Sequence, residues 1–299
     1  MKRIVVIGSA SVDYVINVPH LPNEGETVLA RGVQTCYGGK GANQAAAIAR
    51  LGGDVALIGC LGGDEHAPAI VSRLREYGVN IGGIEMVASV PTGAAYINVG
   101  DFGETNIVLN PGANNFVSAE VITRRLRMFD GASYCITHLE IPLATVYHIA
   151  ELCRERNIRL VVDPVPAASL DFYQLNGTWM IIPNESELHA MIPGPDDTPD
   201  KAAALLERGF QNVLVTMGEH GGFLLNSSGV YTYPGFHGLA VTDTTAAGDS
   251  FLGTLVYSLS KDIEIQRAMS LAAKAAAITV SRRGALQALP SRVEVFEHF

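Results

Sequence analysis

The stretch Arg3-Ile4-Val5-Val6-Ile7-Gly8-Ser9-Ala10-Ser11-Val12-Asp13-Tyr14-Val15-Ile16-Asn17-Val18 decides the fold. Within its first six residues, RIVVIG, Ile4 to Ile7 are apolar and β-branched without alternation, the mark of a strand covered on both faces in a parallel sheet. No helix follows where a strand-to-helix connection belongs. Instead 14–18, together with 27–35, reads as a hairpin-like pair of strands.

Working outward, the same continuous apolar runs recur as DVALIG (54–59), SYCIT (133–137), IRLVVD (158–163), TWMIIP (178–183) and NVLVTM (212–217). Between them, 42–51, 67–77, 119–129, 143–156 and 202–208 carry apolar residues three and four apart, which predicts helices. Two longer helices are expected near the end, over 249–259 and 263–280, the second rich in alanine. Strands alternating with helices predict an α/β fold with a doubly wound, mostly parallel sheet flanked by helices. A second pair of strand-like runs, 93–99 and 105–109, interrupts the alternation around the turn-prone Gly100-Asp101-Phe102-Gly103-Glu104. Extra strands inserted at the carboxyl edge of such a sheet form either a lid over a ligand pocket or an ordinary insertion. The organisation expected is one domain over 1–299, with a small β-sheet lid built from about 14–35 and 92–110.

The 299 residues, 48% of them hydrophobic, suffice for a full-sized core. With 21 Lys and Arg against 30 Asp and Glu, the net charge of -9 argues against a nucleic-acid or anionic-membrane surface. No run of 18 apolar residues predicts a transmembrane helix, and the N-terminal apolar run is too short for a signal peptide. Cys36, Cys60, Cys135 and Cys153 form no CxxC pair and no zinc-like cluster, and cytoplasmic, reduced thiols are expected.

Two clusters can carry chemistry. Gly38-Gly39-Lys40-Gly41-Ala42-Asn43-Gln44 opens a predicted helix but is not a Walker A loop, since Gln34 and Gly41 stand where that motif needs Gly and Ser or Thr. Its glycines bring backbone close to a ligand, and Lys40 and Asn43 offer donors to a polyol or an anion; a glycine-rich turn with a solvated lysine gives the same letters. Asp243-Thr244-Thr245-Ala246-Ala247-Gly248-Asp249-Ser250-Phe251 lies between the strand-like 238–242 and a helix. Its small residues leave free N–H groups at a helix start, an anion hole, with Asp249 beside it as a general base or simply as an N-cap. Asn184-Glu185-Ser186-Glu187 follows a strand and offers carboxylates for water-mediated Mg2+ or merely a polar helix start. The 216–221 turn, TMGEHG, can meet phosphates, and Ser281-Arg282-Arg283-Gly284 ends a helix where carbonyls can hold a monovalent cation or where Gly284 is a plain C-cap.

Taken in order, Gly8-Ser9-x-x-x-Asp13, GGKGANQ, Leu139-Glu140, Asp163-Pro164-x-Pro166-Ala167, NESE, TMGEHG, DTTAAGDSF and RRGA resemble the signature segments of the ribokinase-like family of sugar kinases over essentially the whole chain. The resemblance implies ATP-dependent phosphorylation of the primary hydroxyl of a pentose, D-ribose to D-ribose 5-phosphate first, with deoxyribose or another sugar or sugar acid as the alternative. It implies Asp249 as base, Ala246, Ala247 and Gly248 as anion hole, and Ser11, Asp13, Gly39, Lys40, Asn43 and Glu140 around the sugar. Asn184, Thr216, Gly218, Gly221 and Gly248 match nucleotide-binding positions, and Glu187 matches the acidic residue linked to Mg2+. Asp243 and the carbonyls of Thr245, Thr279, Arg282 and Gly284 match an activating K+ site. The inserted strands match a lid that also makes a homodimer contact. Ser11 stands where members acting on ribose usually carry Asn, and Ala273 stands where some carry an adenine-contacting His. A non-catalytic sugar-binding protein is the reading from another class, which the retained Asp249 opposes. A nicotinamide oxidoreductase lacks its G-x-G-x-x-G after the first strand.

Overall fold

A computed structural model describes residues 2–167, 169–195 and 197–297. The chain begins with β1 (Arg3–Ile7), crosses to β2 (Ser11–Asn17) and β3 (Gly32–Gly38), and enters α1 (Lys40–Arg50). It continues through β4 (Val55–Gly62), α2 (His66–Glu76), β5 (Asn80–Val87), β6 (Gly93–Val99), β7 (Thr105–Asn110) and α3 (Ala119–Thr123). Then come β8 (Ala132–His138), α4 (Leu143–Glu155), β9 (Arg159–Asp163), β10 (Met180–Ile181), α5 (Glu185–Met191), α6 (Thr198–Glu207) and β11 (Asn212–Thr216). The hairpin β12 (Gly222–Asn226) and β13 (Gly229–Tyr233) precedes α7 (Ala247–Ser260), α8 (Ile265–Val280) and α9 (Arg292–Phe296).

Nine strands form one sheet in the order β13-β12-β11-β10-β9-β8-β1-β4-β5, parallel throughout except for the β11–β12 and β12–β13 pairs. The continuous apolar runs are explained by its two covered faces. Ile4 and Val6 of β1 join a core with α1, α7 and α8, while Val5 and Ile7 join a second core with α4, α5 and α6. Strand order reverses at β1, since the chain moves outward to β4 on one side and later to β8 on the other. Such a switch point leaves a crevice at the carboxyl ends of the strands.

A second sheet of four strands, β3-β2-β6-β7, stands over that crevice. β2 and β6 run parallel in register from Ser11–Gly93 to Asn17–Val99, with an antiparallel strand on either side. Alternation assigns its faces: Ser11, Asp13 and Val15 line the crevice, while Tyr14 turns outward and stacks on Tyr96 at 5.4 Å.

Several expectations need correcting. The first inserted pair occupies 11–17 and 32–38, not 14–18 and 27–35, because polar Ser11 and Asp13 belong to the inner face of a strand. The strand-like 238–242 pairs with no strand among the described residues; Thr242 and Asp243 instead donate their N–H groups to the Val280 carbonyl at the end of α8. The helix expected over 119–129 stops at Thr123, since Arg125 (φ -120, ψ 17) leaves helical geometry before a short 3-10 turn at Leu126–Phe129. β5 was hidden by Gly82 and Gly83, poor strand formers; a Cβ on Gly83 would lie 2.3 Å from the Leu57 carbonyl oxygen. Among the described residues no helix is long and apolar enough to cross a membrane.

Candidate active site

The site grows from the loops at the β1/β8 switch point. A Cβ on Gly8 would lie 2.2 Å from His138 Nε2, so only glycine lets the chain leaving β1 pass the end of β8. Gly39 (φ +91) turns β3 into α1 in a conformation that side-chain-bearing residues rarely adopt, and a Cβ there would meet the Ala10 Cα at 2.7 Å. The helix that starts there places Lys40, Asn43 and Gln44 on one face by their three- and four-residue spacing.

That face meets the start of α7. Asp249 is buried, and its Oδ2 accepts from Asn43 Nδ2 at 2.9 Å while its Oδ1 accepts from Gln44 Nε2 at 3.0 Å. Gln44 Nε2 also donates to Asp163 Oδ2 at the end of β9, at 3.0 Å, and the same oxygen receives Lys40 Nζ at 3.2 Å. Burial alone would lower the Lys40 ammonium, but Asp163, Asp249 and Glu140 reverse this and hold it above its ordinary value. Burial pushes Asp163 up to about 7, with Lys40 pulling the other way.

Asp249 is not an N-cap. That position is Ala246, in the left-handed region at φ 60, and Asp249 sits in the first turn with its carboxylate turned to α1. The Ala247 N–H bonds weakly to the Thr244 carbonyl at 3.3 Å, and the N–H groups of Ala246, Gly248 and Asp249 find no acceptor among the described residues. Unpaired N–H groups at the positive end of a 14-residue helix make a place for an anion.

Two cavities meet here. The smaller, about 230 Å³, is lined by Lys40, Asp163, Asn184, Glu187, Thr216 and the Ala246–Asp249 turn. Asn184 and Glu187 form a capping box at α5, in which both Glu187 carboxylate oxygens accept from Asn184, and burial raises the Glu187 carboxyl. Gly218 and Gly221 shape the turn after β11 but do not line this cavity.

The larger cavity, about 1000 Å³, lies between the four-stranded sheet and the floor, and Ser11, Asp13, Gly39, Lys40, Asn43, Glu140 and Asp249 all line it. Ser11 Oγ donates to Asp13 Oδ1 at 3.1 Å. Burial pushes the Asp13 carboxyl up to about 6, against the lowering effect of that bond, and the charges of Glu140 and Asp249 add to the rise. Ser9 Oγ donates to Glu140 Oε2 at 2.6 Å and fixes its carboxylate. His138 lies beneath, its ring nitrogens faced by the N–H groups of Ser9 (3.0 Å) and Glu140 (3.1 Å). Burial and then Lys40 lower its pKa to about 3, and the ring stays neutral. Among the described residues Asn43 Oδ1 is buried without a partner.

Behind the anion hole, Asp243 Oδ1 accepts from the Thr245 N–H and hydroxyl and its Oδ2 from the Gly284 N–H at 2.8 Å, tying the two loops together. The Arg282 N–H bonds to the Thr279 carbonyl at 3.0 Å, so the five expected cation-site residues come together at the end of α8. Sequence reasoning assigned no role to Gln44, Asp163, Ser9, His138 or Asn114, whose Oδ1 accepts from the Ala10 N–H at 3.1 Å. Gln44 and Asp163 do stand inside the motifs already singled out.

The family model described as pfkB family carbohydrate kinase matches residues 1–292. The chain is 34% identical over 300 residues to the ribokinase of Haemophilus influenzae, covering 99% of this chain and 98% of that one. It is equally, at 34% over 301 residues, similar to the deoxyribokinase of Salmonella typhi, with 99% and 98% covered. Among solved structures, the ribokinase of Arabidopsis thaliana complexed with ribose and ATP superposes with a TM-score of 0.91 at 28% identity, covering 99% of this chain and 98% of that one. The ribokinase of Thermotoga maritima gives 0.90 at 31% identity, with 99% and 98% covered.

Proposed function

The chain belongs to the pfkB family of carbohydrate kinases, and from that premise we propose that it transfers the γ-phosphoryl group of ATP to the primary hydroxyl of D-ribose, giving D-ribose 5-phosphate and ADP. The observation that carries this reading is the position of Asp249: it lines both cavities, at the mouth of an unpaired N–H turn. A hydroxyl presented from the larger cavity gives its proton to the Asp249 carboxylate as its oxygen forms the new bond to phosphorus, and the bond to the ADP oxygen breaks. Ala246, Ala247 and Gly248 receive the charge on the moving phosphoryl oxygens, and Lys40 adds a permanent cation beside them.

Sugar hydroxyls find acceptors in Asp13 and Glu140 and a ready acceptor in the unpartnered Asn43 Oδ1, with Gly39 allowing close backbone approach. The nucleotide is assigned to Asn184, Thr216 and Gly248, which line the small cavity, and to Gly218 and Gly221 of the turn that follows Thr216. Glu187, on the wall of the small cavity, would hold Mg2+ through water, and the ion would supply charge neutralisation on the phosphates. Asp243 with the carbonyls of Thr245, Thr279, Arg282 and Gly284 is an all-oxygen set suited to K+. The four-stranded sheet is assigned as lid and homodimer contact, and the enzyme to the cytoplasm.

A second reading, 2-deoxyribose, is favoured by one contact. The Ser11 hydroxyl is spent on Asp13, which leaves its donor turned away from a ring hydroxyl. An ADP-release assay over ribose, 2-deoxyribose and other pentoses tests both readings. Ribose is expected to be turned over, deoxyribose more slowly, and Ser11→Asn to raise the ratio of kcat/KM for ribose over deoxyribose. Asp249→Asn is expected to lower kcat by roughly 10²-fold or more with ribose binding retained. Turnover of neither pentose removes the substrate assignment, and near-normal kcat in Asp249→Asn removes the base.

A further inference from the structure

We infer that Gln44 is a positioning residue for the phosphoryl transfer, aiming the Asp249 carboxylate by a single side-chain amide that bridges two acids. The inference rests on the reading of Asp249 as base. Gln44 is fully buried on α1, and its NH2 group donates to Asp249 Oδ1 and to Asp163 Oδ2, each at 3.0 Å. An amide nitrogen has two hydrogens, and both are committed. The second oxygen of Asp249 is held by Asn43 Nδ2 at 2.9 Å, so the carboxylate is gripped at both ends and cannot rotate about its last bond without breaking one bond or the other.

The two grips are not alike. Asn43 lines the larger cavity, and its loss would disturb the sugar as well as the base. Gln44 lines neither cavity and touches the reaction only through Asp249 and Asp163. Its other end, Oε1, is buried without a partner among the described residues, so the side chain is not kept there to satisfy its own carbonyl. A buried, half-unsatisfied glutamine costs stability, and what it secures is the distance and orientation between two carboxyls: Asp249, and Asp163, which receives Lys40 on the same Oδ2. Through that shared oxygen Gln44 ties the base over the hydroxyl to the ammonium beside the phosphate cavity, so a shift of α1 moves both together.

A double-mutant cycle in the full-length enzyme, assayed with ribose, ATP, Mg2+ and K+, tests this. Gln44→Met keeps the volume and removes both donors. It is expected to lower kcat roughly 10- to 100-fold with the ribose KM changed less than about threefold, the size of a lost hydrogen bond to a charged group. The acid limb of the kcat profile is expected to move to higher pH, since losing a donor disfavours the charged form of any carboxylate. In an Asp249→Asn background the same Gln44→Met change is expected to alter residual kcat by less than about twofold, since the carboxylate it aims is gone and Lys40 keeps its own bond to Asp163. An equal fall in both backgrounds, or a lower melting temperature with kcat and its pH profile intact, overturns the inference. Should Gln44→Met fail to fold, Gln44→Asn keeps an amide too short to span both acids, and the same cycle is read on it. If Asp249→Asn alone retains turnover, the base assignment fails; if it loses turnover while Gln44→Met does not, the positioning role alone fails.

Discussion

Asp13 has one hydroxyl, that of Ser11, to offset the loss of water around its charge. Its carboxyl titrates at about 6 in the folded chain against an ordinary 3.8. Between those values the native state holds a proton that the unfolded chain has released, so stability falls as pH rises through that window and stays lower above it. The cost approaches about 3 kcal/mol at neutral pH. Asp13→Asn is therefore expected to raise the urea midpoint of the ligand-free protein at pH 7.5, to leave it nearly unchanged at pH 4, and to weaken ribose binding at both. An equal effect at the two pH values would remove burial of charge as the cause. Asp13 was legible in the sequence because it stands in a short motif beside Gly8 and Ser9. The role of Gln44 was not, because its two acids lie 119 and 205 residues away and only the folded chain brings them to one nitrogen.

The start of α7 joins the anion hole to the loop held by Asp243. Three bonds accepted by the Asp243 carboxylate fasten the turn that bears Ala246 to the segment after α8, so whatever organises the carbonyls behind it also sets the N–H groups in front. Initial rates are expected to be several-fold higher in K+ than in Na+ or a large organic cation at equal ionic strength, and Asp243→Asn to abolish that difference. Rates indifferent to the cation would detach this loop from catalysis. At this scale the sequence was informative where chemistry and geometry coincide: continuous apolar runs marked strands buried on both faces, and the small residues before Asp249 marked an open helix start. It was silent where a segment's partner is not a strand. The 238–242 run reads as β but ends with the Thr242 N–H on the Val280 carbonyl at the end of a helix, and β5 is concealed by glycines, of which Gly83 is required because the neighbouring strand leaves no space for a side chain.

Seen whole, the molecule is a two-faced sheet with its crevice at the strand-order reversal, covered by a sheet whose outer face carries the exposed apolar residues Val33, Tyr96 and Val108. Such a face favours association. Sedimentation equilibrium is expected to give twice the chain mass of 31.8 kDa, and Val33→Lys with Val108→Lys to give the single mass with the fold retained. A double-lysine variant that sediments as the unaltered protein would move the contact elsewhere. The covering sheet also has a genealogy of its own. Its two central strands, β2 and β6, are locked residue for residue from Ser11–Gly93 to Asn17–Val99, yet they come from segments separated by α1, β4, α2 and β5. A recombination joint placed anywhere between residues 38 and 93 would therefore draw the two halves of one ladder from different parents. Chimeras of this enzyme with a relative of other sugar preference should exchange 11–38 and 93–110 as a pair, and random crossover libraries should lose their active members across the interval between them.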